Sequence, residues 1–382
     1  MGAKQYPDGI SDFKSMVSGD YFFVDKTMLI EDVCKAENKT LLYARPRRFG
    51  KSTNLSMLDH YFGIRYKGGP DIFKGLKIDS CERCRPHKNR YPVIRMNFDT
   101  FDGRSRERFI GSLNEMLSQV AKDALKDMEN EHLRPYERSF LEKAVMKQMD
   151  EVEVQAFVGN LCRLYQDVYN EKTMVLVDEY DRCIQNIRSS ELFTEITETF
   201  RQFMENSFKF NPFIRTSVIT GIMPLAKTSM LSSFNNSSVC SVLDPMGDEF
   251  FGFTEEEVIR LVEETGNPPE KMNEIRDWYN GYHFGNADVY NPYSVILYLQ
   301  NECRPEAYWN NMTGGGMSTD LISSMGTEAL DALRGLYEDP ASCLVTPIDV
   351  RISYFDVLSP TADPSVVYSY LAMAGYLKAV RT

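Results

Sequence analysis

The sequence predicts an α/β fold in which a parallel sheet flanked by helices is followed by a mainly helical domain. Short apolar runs alternate with stretches of helical periodicity between residues 40 and 220. These runs are almost continuously apolar, which is typical of strands buried on both faces and hence of a parallel sheet between helices. From about residue 245 onward, helix caps and helical periodicity replace the strand signals. The order of the two patterns places the sheet domain first and the helical domain second.

Four strands are predicted from runs rich in β-branched and other apolar residues. They lie at residues 40–44, 91–98, 172–177 and 216–220. Helices are predicted between them because apolar side chains recur three or four positions apart and form one face, which can cover the sheet. The faces are Leu55, Leu58 and Phe62; Phe109, Leu113, Met116 and Val120; Phe157, Leu161, Leu164 and Val168; and Leu192, Ile196, Phe200 and Phe203.

The C-terminal part of the chain carries signals of helix starts and stops. Thr254 and Glu257 have the spacing of a capping box, and Asn291 before Pro292 marks another helix start. Asn280-Gly281 predicts a helix end. This part of the chain is therefore expected to form a separate helical domain.

These patterns divide the chain into three predicted parts. They are an N-terminal segment packing on the core (1–36), the sheet domain (37–247) and the helical domain (248–382). Loops are predicted at the glycine run 314–316 and at the proline-containing stretches 340–347 and 359–364.

Composition excludes several classes of protein. The chain has 382 residues, of which 43% are apolar, so it is neither a small disulfide-stapled scaffold nor a disordered chain. No run approaches the roughly 18 apolar residues that cross a bilayer, and the polar start MGAKQYPDGI lacks the pattern of a secretory signal. The eight cysteines are scattered, which predicts reduced thiols rather than a disulfide framework. A cytoplasmic location is expected.

Charge is distributed unevenly along the chain. The formal net charge is −12, yet residues 1–110 carry 21 basic and 14 acidic side chains. Within them, residues 83–108 interleave Lys and Arg with Tyr91, Phe98 and Phe101, a pattern that could contact a nucleic-acid backbone. A solvated face over a buried strand explains the same pattern and is favoured. Whether an anionic partner faces the first third of the chain is left open.

Residues at the end of the first strand form a candidate phosphate-binding loop. Backbone N–H groups at a helix N-terminus bind phosphate, and a Gly-Lys-Ser sequence adds a cation and a hydroxyl for Mg²⁺. The candidate residues are Arg47, Arg48, Phe49, Gly50, Lys51, Ser52 and Thr53, with Lys51 facing the terminal phosphates and Ser52 the metal. The glycine usual six positions before the lysine is replaced by Arg45.

Polar residues at the ends of two later strands complete the candidate site. Asp178 and Glu179 follow the buried run Met174-Val175-Leu176-Val177, on a strand expected to neighbour the first one. Asp178 is the predicted metal-side carboxylate, and Glu179 is placed to orient and polarise an attacking water. Thr220, at the end of the fourth strand, is the candidate sensor of the γ-phosphate. The phosphate-binding loop and the acidic strand end are the two halves of a nucleotide site, and they occur here in the expected order. This arrangement favours an ATPase.

Ten short motifs follow one another along almost the whole chain. They are GISDF (9–13), YFFVDKT (21–27), RPRRFGKS (45–52), VDEYD (177–181), TG (220–221), FGFT (251–254), WYNGY (278–282), YNPY (290–293), YW (308–309) and AGYL (374–377). Taken together, these motifs resemble the AAA-ATPase-like family, found mostly in bacteria. The arginine at position 45 resembles a trait of this family's loop.

The resemblance implies an AAA-like P-loop NTPase core, a helical lid of winged-helix-like character, ATP and Mg²⁺ as ligands, and coupling to another activity. Family members usually continue into a C-terminal PD-(D/E)xK nuclease-like domain. The sequence ends at Thr382, shortly after its AGYL motif, so that domain is expected to be missing. The leading hypothesis is ATP hydrolysis that changes the pose of the lid or an attached effector. The alternatives are a nucleotide-gated binding module with little hydrolysis and a nucleic-acid-binding regulator.

Some candidate roles stay open or are disfavoured. Arg47 and Arg48 could contact phosphate, act as an arginine finger toward a neighbouring subunit of an oligomer, or pair with acidic residues of the lid. Cys81, Cys84 and His87 offer too few ligands for a zinc site, since a structural site needs four. The WYNGY motif is expected to place its aromatic rings in the core at a helix end.

Overall fold

The computed structural model describes residues 4–37, 39–185, 187, 190–223, 237–308, 327–339, 343–350, 352, 356–357 and 363–379. These residues fall into two compact units. The first unit takes the described residues within Met1–Tyr43, Gly50–Gly221 and Ser229–Cys240. The second takes those within Ala44–Phe49, Ile222–Thr228 and Ser241–Thr382. The predicted division at residues 36 and 247 stays a prediction, as does the winged-helix character.

A five-stranded parallel sheet is the centre of the first unit. Its strands are β1 (Thr40–Ala44), β2 (Val93–Asn97), β3 (Thr173–Asp178), β4 (Ile214–Gly221) and β5 (Ser237–Cys240), in the order β2-β3-β4-β1-β5. All five residues of β1 and all six of β3 are buried, as expected for strands covered on both faces. The four predicted strands are confirmed. The edge strand β5 was not predicted, because its Ser-Ser-Val-Cys sequence has no apolar run.

Helices cover this sheet. They are α1 (Phe13–Ser18), α2 (Leu29–Lys35), α3 (Lys51–Phe62), α4 (Arg106–Asp127), α5 (Pro135–Val145), α6 (Glu151–Tyr169), α7 (Arg182–Gln185) and α8 (Ser190–Phe208). The apolar faces predicted for α3, α4, α6 and α8 are buried at most of their positions, including Leu58, Leu113, Leu161 and Phe200. The predicted α/β class of this part of the chain is confirmed.

The described part of the second unit is mainly helical and contains a small sheet. Its elements are β6 (Phe253–Thr254), α9 (Glu255–Glu264), α10 (Lys271–Tyr279), β7 (Asn280–Phe284), β8 (Ala287–Tyr290), α11 (Pro292–Gln300), α12 (Thr327–Glu338) and α13 (Pro364–Met373). The strands form an antiparallel sheet in the order β6-β8-β7. Sequence reasoning missed this sheet, because its strands are short and the Asn280-Gly281 signal marked only the end of α10.

Local capping chemistry explains where several helices begin. The Thr254 side chain accepts from the Glu257 N–H while the Glu257 carboxylate accepts from the Thr254 N–H, which confirms the predicted capping box. The Asn291 side chain caps α11 by accepting from the Ser294 N–H at 3.2 Å. These caps satisfy N–H groups that have no partner within the helix.

Some sequence expectations for the second unit are corrected. Trp278 is 52% exposed and so is not a core residue, whereas Tyr279 is buried. Pro364 is not in a loop but begins α13, because a proline is tolerated at the first helical position. The glycine run 314–316 and Trp309 lie outside the described residues. None of the helices in the described part of the chain combines the length and apolar character needed to cross a membrane.

Candidate functional site

Gly50 is the residue at which the β1 segment turns into α3. It caps the helix with φ +76° and ψ +17°, a left-handed conformation that glycine adopts without the penalty of a Cβ atom. The helix then begins at Lys51, and the Asn54 N–H donates to the Gly50 carbonyl at 2.9 Å. The first N–H groups of a helix have no acceptor within it. The turn therefore aims backbone donors and the positive end of the helix dipole at one small volume, which suits an anion.

Lys51 and Glu179 form an ion pair. The Lys51 side chain is 3% exposed and its ammonium Nζ lies 3.4 Å from Glu179 Oε1. A buried ammonium without an anionic partner is costly, so Glu179 compensates a charge that the fold has withdrawn from water. Glu179 itself is more accessible, at 20% exposed. The pair joins the start of α3 to the residue that follows β3.

The backbone of Glu179 is strained. Its φ of +49° lies in the left-handed region, which costs a residue with a Cβ about 1–2 kcal/mol. Hydrogen bonds on both sides hold it there. The Glu179 N–H donates to Asp178 Oδ1 at 3.1 Å, and the Tyr180 N–H donates to the Thr220 carbonyl at 3.0 Å. Such over-determined strain is typical of functional sites.

Asp178 is bound by hydroxyl donors from two other elements. Ser52 Oγ, on α3, donates to Asp178 Oδ2 at 2.6 Å. Thr220 Oγ1, at the end of β4, donates to Asp178 Oδ1 at 2.6 Å. Asp178 is 6% exposed and Thr220 is fully buried, so these charge-assisted bonds fix the carboxylate in one orientation.

The order of the strands corrects one expectation. The strand of Asp178 was expected to neighbour β1, but β4 lies between them. Apolar runs identify strands without specifying their order, which depends on pairing between distant segments. The inserted strand has a consequence for the site, because it places Thr220 beside Asp178. The structure brings together the predicted residues Lys51, Ser52, Asp178, Glu179 and Thr220.

Gly221, Tyr180 and Asp181 support this arrangement, and sequence reasoning assigned them no role in the site. A Cβ added to Gly221 would lie 2.5 Å from Tyr180 Cε1 and 2.7 Å from Asp181 Oδ1. Both neighbours are fully buried. Gly221 therefore provides the space in which the turn after β3 packs against the end of β4. The VDEYD and TG motifs contain these three residues and were the available signal for their role. The sequence does not show that the two motifs meet in the fold.

Residues 44–49, immediately before Gly50, belong to the second unit, and Arg45 is the most deeply buried polar residue among these six. Its guanidinium donates from Nη1 to the carbonyls of Ala44 at 2.9 Å and Ser241 at 2.7 Å, and from Nη2 to that of Met246 at 3.1 Å. The guanidinium carbon also lies 5.5 Å and 5.2 Å from the ring centroids of Phe251 and Phe284. Arg45 thus anchors this segment through hydrogen bonds and cation–π contacts.

Phe49 and Arg48 also have partners in the second unit. The Phe49 ring is buried, with centroids 4.8 Å from Tyr282 and 5.1 Å from Phe284. The exposed Arg48 places its guanidinium carbon 4.8 Å from the Tyr293 ring centroid, on a backbone with φ +69°. Arg47 is half-buried in the same segment, and Thr53 is half-buried in the first turn of α3. The nucleotide roles of these four residues stay predictions.

Ion pairs engage much of the basic segment 83–108. Arg90 pairs with Glu171, Arg106 with Glu151, and both Arg104 and Arg108 with Asp102. Residues 93–97 of the same segment form β2. These contacts fit the favoured interpretation of a solvated face over a buried strand. Contact with nucleic acid stays a prediction.

The residues at the end of β3 fit a magnesium ion chemically. Mg²⁺ prefers oxygen ligands and in phosphate sites is held by one or two protein groups, with phosphate and water completing the shell. Ser52 and Asp178 offer a hydroxyl and a carboxylate oxygen already 2.6 Å apart. Within the described ranges, no three His, Cys, Asp or Glu side chains gather as a metal site. Phosphate and water would supply the further ligands of such an ion.

The fold and this arrangement define an α/β protein of the P-loop type. A family model described as predicted AAA-ATPase matches residues 7–231, more than half of the chain. The chain belongs to this AAA-ATPase-like family, which confirms the resemblance that its motifs indicated.

Two further proteins are similar to the chain. An uncharacterised protein encoded in the vnfD 5′ region of Azotobacter chroococcum mcd 1 is 31% identical over 327 residues, which are 85% of this chain and 57% of that protein. The chain thus spans little more than half the length of this relative. The Walker-type ATPase PABY2304 of Pyrococcus abyssi aligns over 97% of this chain and 98% of its own, with 13% identity and a TM-score of 0.45.

Proposed function

We propose that the protein binds ATP with Mg²⁺ and hydrolyses the bond between its β- and γ-phosphates. The observation that carries the proposal is the convergence of one ammonium, two hydroxyls and two carboxylates at the start of α3. A helix N-terminus opened by Gly50 supplies backbone donors at the same place. Membership of a family described as predicted AAA-ATPase supports this chemistry.

Lys51 would change its partner when the triphosphate binds. Without ligand, the buried ammonium is compensated by Glu179 at 3.4 Å. The phosphate oxygens carry more negative charge than one carboxylate, so they take over the ammonium and release Glu179. The same cation therefore stabilises the bound triphosphate and makes a carboxylate available for catalysis.

The released Glu179 carboxylate would orient the attacking water and accept its proton. The water oxygen forms a bond to the γ-phosphorus while the bond from that phosphorus to the β-phosphate oxygen breaks, which gives ADP and inorganic phosphate. The strained backbone of Glu179 fixes the direction from which its carboxylate approaches.

Ser52 and Asp178 are the residues that would hold Mg²⁺. When bound, the ion offsets the charge of the phosphate oxygens. Thr220 would act as a positioning residue, because its hydroxyl is already bonded to Asp178 Oδ1 at 2.6 Å. This role differs from the γ-phosphate sensing expected from the sequence, which stays a prediction.

The variant Glu179→Gln tests the proposal. We expect it to keep ATP bound and to release phosphate at least about 100-fold more slowly, because the amide cannot accept the proton. We also expect it to bind ATP several-fold more tightly than wild type, since no carboxylate competes for Lys51. Isothermal titration gives the affinity, and single-turnover phosphate release gives the rate.

Glu191→Gln, at an exposed position of α8, is the matched control and should change neither quantity. Equal phosphate release by wild type and Glu179→Gln, with ATP bound by both, would favour the nucleotide-gated binding module instead. If neither wild type nor Glu179→Gln bound ATP, both the hydrolysis and the nucleotide-gated binding would be overturned. Movement of a lid or an attached effector would be a consequence of hydrolysis and stays a prediction.

A further inference from the structure

A group of three thiols lies in the first unit, outside the candidate nucleotide site. Cys81 and Cys84 flank a tight turn between α3 and β2, and their sulfur atoms are 3.1 Å apart. Burial raises the pKa of the Cys34 thiol to about 11, although a hydrogen bond with Cys84 lowers it in part. Cys34 on α2 is therefore a close neighbour of Cys84. None of these three thiols is part of a disulfide.

The turn brings the two sulfur atoms together through its backbone. The N–H groups of Cys84 and Arg85 both donate to the Cys81 carbonyl, at 3.1 Å and 3.3 Å. A disulfide needs sulfur atoms about 2.05 Å apart, so the two thiols would have to approach by only about 1 Å.

The two thiols differ in access to solvent. Cys84 is fully buried, as Cys34 nearly is, whereas Cys81 is partly exposed. An oxidant from solvent would therefore reach Cys81 first, and Cys84 would lie behind it as the second thiol. Exposure combined with an adjacent resolving thiol is the arrangement of a redox-sensitive cysteine pair.

The described residues around these thiols are not arranged as a zinc site. Within the part of the chain that the structure describes, no three His, Cys, Asp or Glu side chains are arranged to hold a metal ion. A closed structural zinc site needs four ligands.

We propose that Cys81 and Cys84 form a dithiol site that a peroxide oxidises to a disulfide. The Cys81 thiolate attacks a peroxide oxygen, so that an S–O bond forms, the O–O bond breaks and hydroxide leaves to take up a proton. Cys84 then attacks the Cys81 sulfur, the S–S bond forms, and the S–O bond breaks with loss of water. Two thiols and one hydrogen peroxide thus give one disulfide and two waters.

The site lies near the far end of the helix that begins at Lys51. Burial, followed by the charges of Cys84, Cys34 and Cys81, raises the pKa of the Tyr61 hydroxyl, so this α3 residue is within electrostatic reach of all three thiols. The proposal does not depend on ATP hydrolysis, and its test needs no nucleotide.

The sequence offers a direct test by trypsin digestion. Trypsin cuts after Arg83, between the two cysteines, and leaves the Arg85-Pro86 bond intact, so the reduced protein gives the peptides IDSCER and CRPHK. A disulfide between Cys81 and Cys84 keeps them linked, with a mass about 2 Da below their sum because two hydrogen atoms are lost. The protein is treated with equimolar hydrogen peroxide, blocked with N-ethylmaleimide, digested and analysed by mass spectrometry.

We expect the linked peptides from wild type and from Cys34→Ser and Cys343→Ser, and no linkage from Cys81→Ser or Cys84→Ser. One equivalent of peroxide should be enough for the linkage, because Cys84 lies beside Cys81 and can displace the sulfenic acid before a second oxidation. Linkage of CRPHK to the Cys34 peptide TMLIEDVCK would overturn the pairing. Unlinked peptides throughout, or one tightly held zinc ion per chain that protects the thiols, would overturn the site.

Discussion

The two halves of the predicted phosphate loop behave differently. Residues 50–53 belong to the first unit, where Gly50 opens a helix and Lys51 and Ser52 contact the carboxylates that follow β3. Residues 44–49 belong to the second unit, where Arg45 and Phe49 are buried among carbonyls and aromatic rings. One continuous motif therefore combines a segment with the geometry for phosphate chemistry and a segment held by packing.

The difference explains why an arginine can replace the usual glycine of the loop. Arg45 donates to the carbonyls of Ser241 and Met246, contacts that a glycine could not make. The glycine that the helix start requires for its backbone is Gly50, with φ +76°. An unusual residue in a binding motif need not contact the ligand.

The largest effect should follow from Arg45→Ala. Removing the guanidinium leaves buried carbonyls without donors and opens a cavity beside Phe251 and Phe284, so we expect the free energy of unfolding to fall by about 3–5 kcal/mol. Urea unfolding followed by Trp278 fluorescence, in a Trp309→Phe background, measures it. Arg260→Ala, on the exposed face of α9, should cost at most about 0.5 kcal/mol. If Arg45→Ala were as stable as wild type but had lost its affinity for ATP, Arg45 would belong with the ligand-binding residues and the comparison would be wrong.

Lys51→Ala should have the next largest effect, but on binding. Loss of the ammonium that we propose binds the triphosphate should weaken ATP binding at least about 100-fold, or about 2.7 kcal/mol. Titration of a fluorescent ATP analogue measures the affinity, and Lys74→Ala at an exposed position is the control. If Lys51→Ala bound ATP with the affinity of wild type, Lys51 would not be a ligand-binding residue.

Asp127 sharpens the comparison, because it is a buried carboxyl outside the candidate site. Burial outweighs the ion pair with Arg65 and raises the pKa of Asp127 to about 6, from 3.8. The folded protein then binds this proton more tightly than the unfolded chain. The stability that this proton contributes to the folded state is fully present below pH 3.8 and is lost as the pH rises through 6. Between pH 4 and 7, the free energy of unfolding of wild type should therefore fall by about 2 kcal/mol relative to that of Asp127→Asn.

Denaturant unfolding at several pH values measures this difference, with the exposed Glu129→Gln as the control. Parallel pH profiles of wild type and Asp127→Asn would show that the ion pair with Arg65 keeps the carboxylate charged.

The smallest effect is expected for Thr220→Val. The variant keeps the shape of the side chain and removes one hydrogen bond to Asp178, so the Mg²⁺ concentration for half-maximal phosphate release should rise about tenfold, or about 1.4 kcal/mol. Thr216→Val is a matched control on the same strand, since its buried hydroxyl donates to the Ala36 carbonyl instead. Equal Mg²⁺ dependence in both variants would remove the positioning role of Thr220.

The sequence by itself determined the elements and the residue types of the site. Apolar runs and helical periodicity located β1, β2, β3 and β4, and the capping signals located the starts of α9 and α11, because these features depend on residues close together in the chain. The Gly50-Lys51-Ser52 and Asp178-Glu179 motifs carried their own chemical signal for the same reason.

Only the tertiary structure decided which of these residues meet. The insertion of β4 between β3 and β1, the bond from Thr220 to Asp178, the burial of Arg45 and the proximity of Cys34 to Cys84 each join residues more than 40 positions apart. Strand order and burial depend on the packing of whole apolar faces, which local periodicity does not specify. The sequence therefore supplied the candidate residues of the site, and folding determined their roles.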